Sequence, residues 1–600
     1  MSNLQTLQDY LGTLGQDGVV IASADEYLSE FAPPCSRRLQ WATGFKGSMG
    51  AAVVLKDRAA LFVDGRYVEQ AGRDTAGTAI EIVQGGYSAQ CTWLRSNVPC
   101  GRSLVLDGRL HPYTELKQLR VFAEEHGIEL AVLSRHPIDD VWRLQRPSPL
   151  SSIVHDYPEE FAGAAWYDKC QRIAQRLAES GVHAHLVADP EDVAWLLNIR
   201  TNDCESTTPE MNHVVPIPLS RIVVDRQGKV TWFIERQRVG NLLAQRPVGI
   251  EVLHPDSLEK YLFECSAGRV LSANLRRTPY LYATIVEKNG TLRHDASLSE
   301  WRWCKHEREI KAARHAHFQD GLAVVRFLAW LKGSISARTI SEMDASYKLH
   351  EFRQQLPTYK GMSMPYMSAS GTNSALAHYS PSRNSNSILN DHPIYWMDSG
   401  GHFPGCSTDN TVCIAVRPPD ECHIRAHTLV LKGFIALACA KFPANISSTQ
   451  IDTLARQYLW QEGLDYAHGT GHGVGNFMNI HEGPAIRKDS TFPTVAPMQS
   501  NMIVANEPAV YFPANFGVRI ECHMLTVPAR QPGFLEFEVL SRLPIDPDLV
   551  DFASLTSSEK QWLARYHDDV LQGYSGHLDG PTQSWLNRVA EAYRAANQLG

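Results

Sequence analysis

Between Asp465 and Pro484 the chain reads Asp-Tyr-Ala-His-Gly-Thr-Gly-His-Gly-Val-Gly-Asn-Phe-Met-Asn-Ile-His-Glu-Gly-Pro, which sets His468, His472 and His481 among alternating glycines. Glycine lets backbone bend tightly and approach other groups closely, and neutral imidazole is the commonest protein metal ligand. The stretch taken alone also fits a loop of solvated histidines. A nucleotide site is the other candidate, but Val474 stands where the dinucleotide fingerprint needs a third glycine, and no Lys-Ser or Lys-Thr follows as a P-loop requires.

Four acids on either side decide the chemistry. Asp398 and Asp409 lie on two apolar, β-prone runs within Pro393–Val416, joined by a Gly/Pro turn, which predicts a hairpin. Met502–Tyr511 and Phe516–Val527 predict a second hairpin, carrying Glu507 and Glu521. A carboxylate within a strand is costly to bury unless it is paired or metal-bound, although each acid singly also fits a solvated strand edge. Four carboxylates and the His472 imidazole make a hard, oxygen-rich set. It suits two divalent ions such as Mn²⁺, with Co²⁺ or Zn²⁺ as alternatives, and does not suit copper(I) or iron–sulfur clusters. Four negative charges offset two such cations. A pair of ions about 3.5–4 Å apart lowers the pKa of a bridging water and clamps the oxygens of a tetrahedral intermediate. The expected activity is metal-dependent hydrolysis.

The elements that position these residues begin far upstream. Val19–Ala22, Ala51–Leu55, Ala60–Val63, Ile80–Val83, Ser103–Leu106 and Glu129–Leu133 predict strands, and Tyr113–His126 has helical spacing, so the first region reads as an α/β domain over 1–145. Leu144–Ser152 has two prolines and three serines and reads as a linker. A second α/β domain over 146–303 holds a helix near Ala164–Ser180, strands at His185–Ala188, Arg221–Val224 and Lys229–Ile234, and an acid-rich helix start after Pro190. The catalytic domain, 304–535, opens with an apolar stripe along Glu307–Leu331. Thr339-Ile-Ser-Glu342 predicts a capping box for the next helix, and Thr556-Ser-Ser-Glu559 another in a C-terminal extension, 536–600.

Six hundred residues imply several domains, because single cores stop growing near about 250–300 residues. A net charge of −8 argues against nucleic-acid or anionic-membrane partners. No apolar run is long enough to span a bilayer, and the N-terminus lacks the cationic and apolar regions of a signal peptide. The 12 cysteines are dispersed without a Cys-x-x-Cys pair, so a reduced, cytoplasmic protein is expected.

The order Asp-Ser-Gly, Asp-x-Thr, His-Gly-Thr-Gly-His-Gly-Val-Gly, His-Glu-Gly-Pro, Asn-Glu-Pro and Arg-Ile-Glu resembles the pita-bread metallopeptidases, a family that includes prolidase, creatinase and methionine aminopeptidase. Ser23–Glu30, Gly44–Ser48, Asp64–Tyr67, Asp192–Arg200 and Trp562–His567 extend the resemblance over the whole chain, to the long, three-domain cytosolic aminopeptidases P. That resemblance implies two creatinase-like α/β domains, then an α+β catalytic domain and a C-terminal extension. It implies that Asp398, Asp409, His472, Glu507 and Glu521 are the metal ligands, Asp409 and Glu521 bridging, with Glu507 also the acid/base. It further implies that His378 orients substrate, His481 bonds the scissile carbonyl and His468 belongs to Xaa-Pro recognition, with Arg519 and Thr411 in support. The substrates would be peptides with proline second, and the protein a homodimer. Prolidase, or a binding protein on the same fold, is the alternative. Val412 stands where the family commonly has arginine, Ala509 where it has glycine and Cys522 where asparagine is frequent.

Overall fold

The computed structural model describes residues 2–208, 211–246, 249–490 and 492–598, which fall into two compact units. One takes in Met1–Tyr157, Ala164–Asp203 and Ile217–Ser299. The other takes in Pro158–Gly163, Cys204–Pro216 and Glu300–Gly600.

The first unit uses one plan twice. Its first sheet runs, edge to edge, Ile80–Gln84, Ala59–Val63, Ala51–Leu55, Gly18–Ala22, Ser103–Asp107 and Glu129–Leu133. Its second runs Ile250–Leu253, Val230–Phe233, Arg221–Asp225, Ala184–Val187, Val270–Ala273 and Thr291–His294. In both, three strands meander antiparallel through the middle and parallel strands extend each edge. Val19, Val20 and Ile21 are all buried, as expected of an inner strand covered on both faces. Each predicted strand of this region forms, with ends shifted by a residue at most.

The second unit is built on the helix Glu307–Ser334, whose N-cap His306 accepts from the Arg308 N–H while Glu309 reaches back to the His306 N–H. The predicted first hairpin forms, Ile394–Ser399 pairing with Asn410–Ala415 and placing Asp398 opposite Thr411. Its turn leaves this sheet, since Gly401–Phe403 and Cys406–Ser407 join a different one with Gly361–Met362 and Met211–Val215. Ile394 and Trp396 enter one apolar cluster, Tyr395 and Met397 another. The period of two is that of a strand buried on both faces. Two expectations need correction. The box after residue 339 is formed by Ser341 and Asp344, because Ser341 is the residue whose side chain accepts from the helix; Glu342 is engaged elsewhere. The second hairpin is split between two sheets: Ile503–Asn506 pairs with Cys522–Pro528 in one, Ala509–Phe512 with Phe516–Arg519 in the other. Glu507 and Glu521 therefore sit in the break between ladders rather than within a strand. The Thr556–Glu559 box forms as expected and opens the helix Ser557–Tyr574.

Two buried histidines make stability depend on pH. His567 Nδ1–H donates to the Leu563 carbonyl at 2.8 Å while Nε2 accepts from the Ile545 N–H at 3.1 Å. His136 Nδ1 accepts from the Ile138 N–H at 3.1 Å, leaving Nε2–H for the Val20 carbonyl. Each geometry needs a neutral ring. Burial is the main force lowering both pKa values to about 4. The unfolded chain takes these protons first, so the stabilisation is whole above about pH 6.5 and is lost as pH falls toward 4. At pH 5 each ring is expected to cost about 2 kcal/mol. Melting measured at pH 7 and pH 5 should show a smaller drop in a His136→Gln, His567→Gln double variant than in the native protein.

Candidate active site

Local structure brings the predicted residues together. Gly471 and Gly473 form a short strand that pairs with Glu482–Ile486. A Cβ at Gly471 would lie 1.9 Å from the Ala505 carbonyl oxygen, and one at Gly473 1.9 Å from that of Gly483, so neither position tolerates a side chain. The glycines thus let His472 approach the neighbouring backbone. His472 Nδ1–H donates to the Gly473 carbonyl at 2.8 Å. That leaves the Nε2 lone pair facing Asp409 Oδ2 at 3.8 Å and Glu521 Oε1 at 3.9 Å.

Three overlapping groups of ligand atoms, each within 4.8 Å, are formed by Asp398, Asp409 and Glu521, by His472, Glu507 and Glu521, and by Asp409, His472 and His481. The rings of His472 and His481 meet edge to face, 4.3 Å between centroids. Asp398, Asp409 and Glu521 are buried, yet neither Asp398 Oδ1 nor Asp409 Oδ1 has a hydrogen-bond donor. Burial, and then the charges of Glu521 and Asp398, push the Asp409 carboxyl far above its ordinary pKa. Burial, and then Asp398 and Glu507, do the same to Glu521. Crowded, buried, donor-less carboxylate oxygens are expensive alone and satisfied by divalent cations. The donor set fits two such ions.

Arg519 braces the cluster. Its Nη2 donates to Asp398 Oδ2 at 2.5 Å, its Nε to Thr411 Oγ1 at 3.0 Å, and its Nη1 to the Tyr511 hydroxyl at 2.6 Å and the Ala377 carbonyl at 3.0 Å. Burial opposes the guanidinium charge, but Tyr511, Asp398, Glu521 and Glu507 outweigh it and raise its pKa. Thr411 Oγ1 donates in turn to Glu521 Oε2 at 2.8 Å. Tyr511, which the sequence did not single out, links this arginine to His468, with 3.1 Å between its hydroxyl and Nε2. His468 Nδ1 contacts the Gly469 carbonyl at 2.7 Å and lies 3.8 Å from Glu507 Oε2. The half-buried His378 follows Ala377, whose carbonyl Arg519 holds.

Two further buried ion pairs fix the backbone that carries the candidate ligands. Arg353 binds Asp320 at 2.7 Å and also donates to the Ser399 carbonyl, while Asn410 donates to Asp320 at 2.9 Å, so both arms of the first hairpin are held. Arg456 binds Asp452 at 2.6 Å and reaches the carbonyls of Tyr466 and His468. Val412 and Cys522, both departures from the family pattern, line a small cavity behind Thr411 and Glu521 with Cys413 and His427. Val412 also packs against Met397 and Ile414, apolar surroundings that suit valine and would not suit a charge. Ala509 is buried opposite Arg519 in the Ala509–Phe512 ladder.

The signature of metallopeptidase family M24 matches residues 311–528, and that of its C-terminal region residues 533–593. The creatinase/prolidase N-terminal domain matches twice, over residues 3–134 and 145–309. A probable Xaa-Pro aminopeptidase P of Metarhizium robertsii is 31% identical over 592 residues, 95% of either chain. This chain belongs to the aminopeptidase P family. A second probable Xaa-Pro aminopeptidase P, from Laccaria bicolor, is 31% identical over 98% of this chain and 92% of that one. Among solved structures, the X-prolyl aminopeptidase of Caenorhabditis elegans, a cytosolic enzyme with a di-nuclear active site, matches with a TM-score of 0.90 at 26% identity, over 99% of this chain and all of that one. The fold expected from the resemblance, paired creatinase-like domains followed by the M24 domain and its extension, is therefore the fold of this aminopeptidase P family member.

Proposed function

We propose that the protein is a metal-dependent aminopeptidase that removes the first residue from peptides with proline second. The observation that carries this reading is the convergence of Asp398, Asp409, His472, Glu507 and Glu521, with Asp398 Oδ1 and Asp409 Oδ1 buried without donors, in a chain whose aminopeptidase P relatives match it over nearly its whole length. These five residues would hold two divalent ions, for which Mn²⁺ is proposed on the hardness of the donors. Ions bound there would acidify a water and polarise a carbonyl. Glu507 takes the proton of the attacking water on its carboxylate and returns it to the departing proline nitrogen. That nitrogen belongs to a tertiary amide without an N–H, which peptidases gripping an extended backbone handle poorly. His481 donates to the scissile carbonyl, His378 orients the peptide, and His468, held by Tyr511, borders the proline.

The C. elegans enzyme and the family match support the cytosolic location and the two ions; no helix among the described residues is long and apolar enough to cross a membrane. A homodimer is also proposed, and light scattering that finds monomers would remove it. Mn²⁺-supplemented protein is expected to release the first residue from an Xaa-Pro-Pro tripeptide. Cleavage of Xaa-Pro dipeptides alone would make it a prolidase, and no cleavage with no bound metal would make it a binding protein.

A further inference from the structure

Glu342 opens the helix Glu342–Gln354 but does not cap it, and it is fully buried. Its carboxylate is taken up instead by one distant segment. Oε1 accepts from the Ser370 N–H at 2.7 Å, the Ser370 hydroxyl at 3.0 Å and Asn373 Nδ2 at 3.3 Å. Oε2 accepts from Asn373 Nδ2 at 3.1 Å, the Tyr379 hydroxyl at 2.8 Å and the Ser387 N–H at 2.9 Å. Every one of these donors flanks His378.

The opposite side of the same segment is also held. Trp396 Nε1–H donates to the Ser374 carbonyl at 3.1 Å, the Gly517 N–H to the Ser374 hydroxyl at 2.9 Å, and Arg519 to the Ala377 carbonyl at 3.0 Å. His378 thus lies between two grips, one made by a single carboxylate and the other by the strand that carries Asp398 and the strand Phe516–Arg519 just before Glu521. We infer that Glu342 is a positioning residue, whose charge fixes the segment from Ser370 to Ser387 and so sets His378 in the site. A charged acceptor is required: an amide at this place keeps one accepting oxygen and turns an N–H toward a buried backbone N–H, which leaves donors unpaired.

The inference rests on the reading that His378 serves peptide cleavage, and the test separates the two. Glu342→Gln is expected to lower kcat/KM on an Xaa-Pro-Pro peptide by about 10–100-fold, the range typical of outer partners of a metal site. In a His378→Ala background the same substitution should change kcat/KM by less than about twofold, because the two act through one element. Equal losses in both backgrounds, or no loss in the native one, would overturn it. Tyr379→Phe, which removes one donor and leaves the carboxylate in place, repeats the test with a smaller loss should Glu342→Gln fail to fold. Exposed Arg383 gives a readout independent of activity. Trypsin is expected to cut after it faster in Glu342→Gln than in native protein. If native protein cleaves no Xaa-Pro peptide, the proposed reaction fails, and unchanged cutting after Arg383 would then overturn the positioning role by itself.

Discussion

Glu507→Gln is expected to lower kcat by about 10²–10⁴-fold, the range for loss of a positioned acid/base. Glu507 sits where the chain leaves Ile503–Asn506 for the Ala509–Phe512 ladder, and its N–H is held by the Thr470 carbonyl at 2.8 Å. The residue is therefore fixed by backbone that a glutamine keeps, and the substitution preserves size while removing the basic oxygen. Melting should change little and substrate binding should persist, so the loss falls on kcat rather than on KM. Glu507 is also a proposed ligand, and metal analysis of the variant separates a lost ion from a lost base. Activity within tenfold of native would show that another group carries the proton.

The second large effect is on stability. Without cations, Asp409 and Glu521 have pKa values raised by burial and by each other's neighbours. A carboxyl whose folded pKa lies above its unfolded one binds its proton more tightly in the native state. Metal-free protein thus loses that stabilisation as pH rises from the ordinary carboxylate range toward these raised values. Divalent ions must displace the protons, so their hold strengthens with pH. At a free concentration 100 times Kd, an ion binding only the native state adds about 2.7 kcal/mol. The melting temperature of chelator-treated protein should therefore rise with added Mn²⁺, and by more at pH 8 than at pH 6. Melting indifferent to Mn²⁺ would remove the metal site.

The six strands of the first sheet were legible because each is a short apolar run bounded by turn residues, whereas Ile250–Leu253, Val270–Ala273 and Thr291–His294 of the second were not predicted. The proposed ligand set stood out because its four acids fall on apolar, β-prone runs on either side of the glycine-rich stretch. What lay hidden depends on partners distant in the chain. Glu342 looks locally like the end of a capping box, and only the fold shows that its donors come from Ser370 to Ser387. Asp452 and Arg456 stand four apart on the helix Ser448–Gln461, a spacing that ordinarily signals an exposed helix pair. Nothing in the local pattern says that both are buried and hold the His468 turn. Nor does hydrophobic patterning alone reveal that Glu507 and Glu521 fall between two sheets, since apolar residues resume after each acid. The repeated sheet plan escaped for the same reason: strand order is set by pairing, and the two copies share no repeated motif.

The strand Met211–Val215 ends with a consequence for synthesis. His213 pairs opposite Met362 and contacts the Ser363 carbonyl, 150 residues further on. At about 5–20 residues per second the ribosome needs on the order of ten to thirty seconds to deliver that partner. Until then an emerged strand waits with open backbone groups, the kind of edge on which nascent chains stick to one another. Slower elongation or a shortage of nascent-chain chaperones should thus show first as aggregation of the half-made chain, before any of the proposed metal ligands has left the exit tunnel.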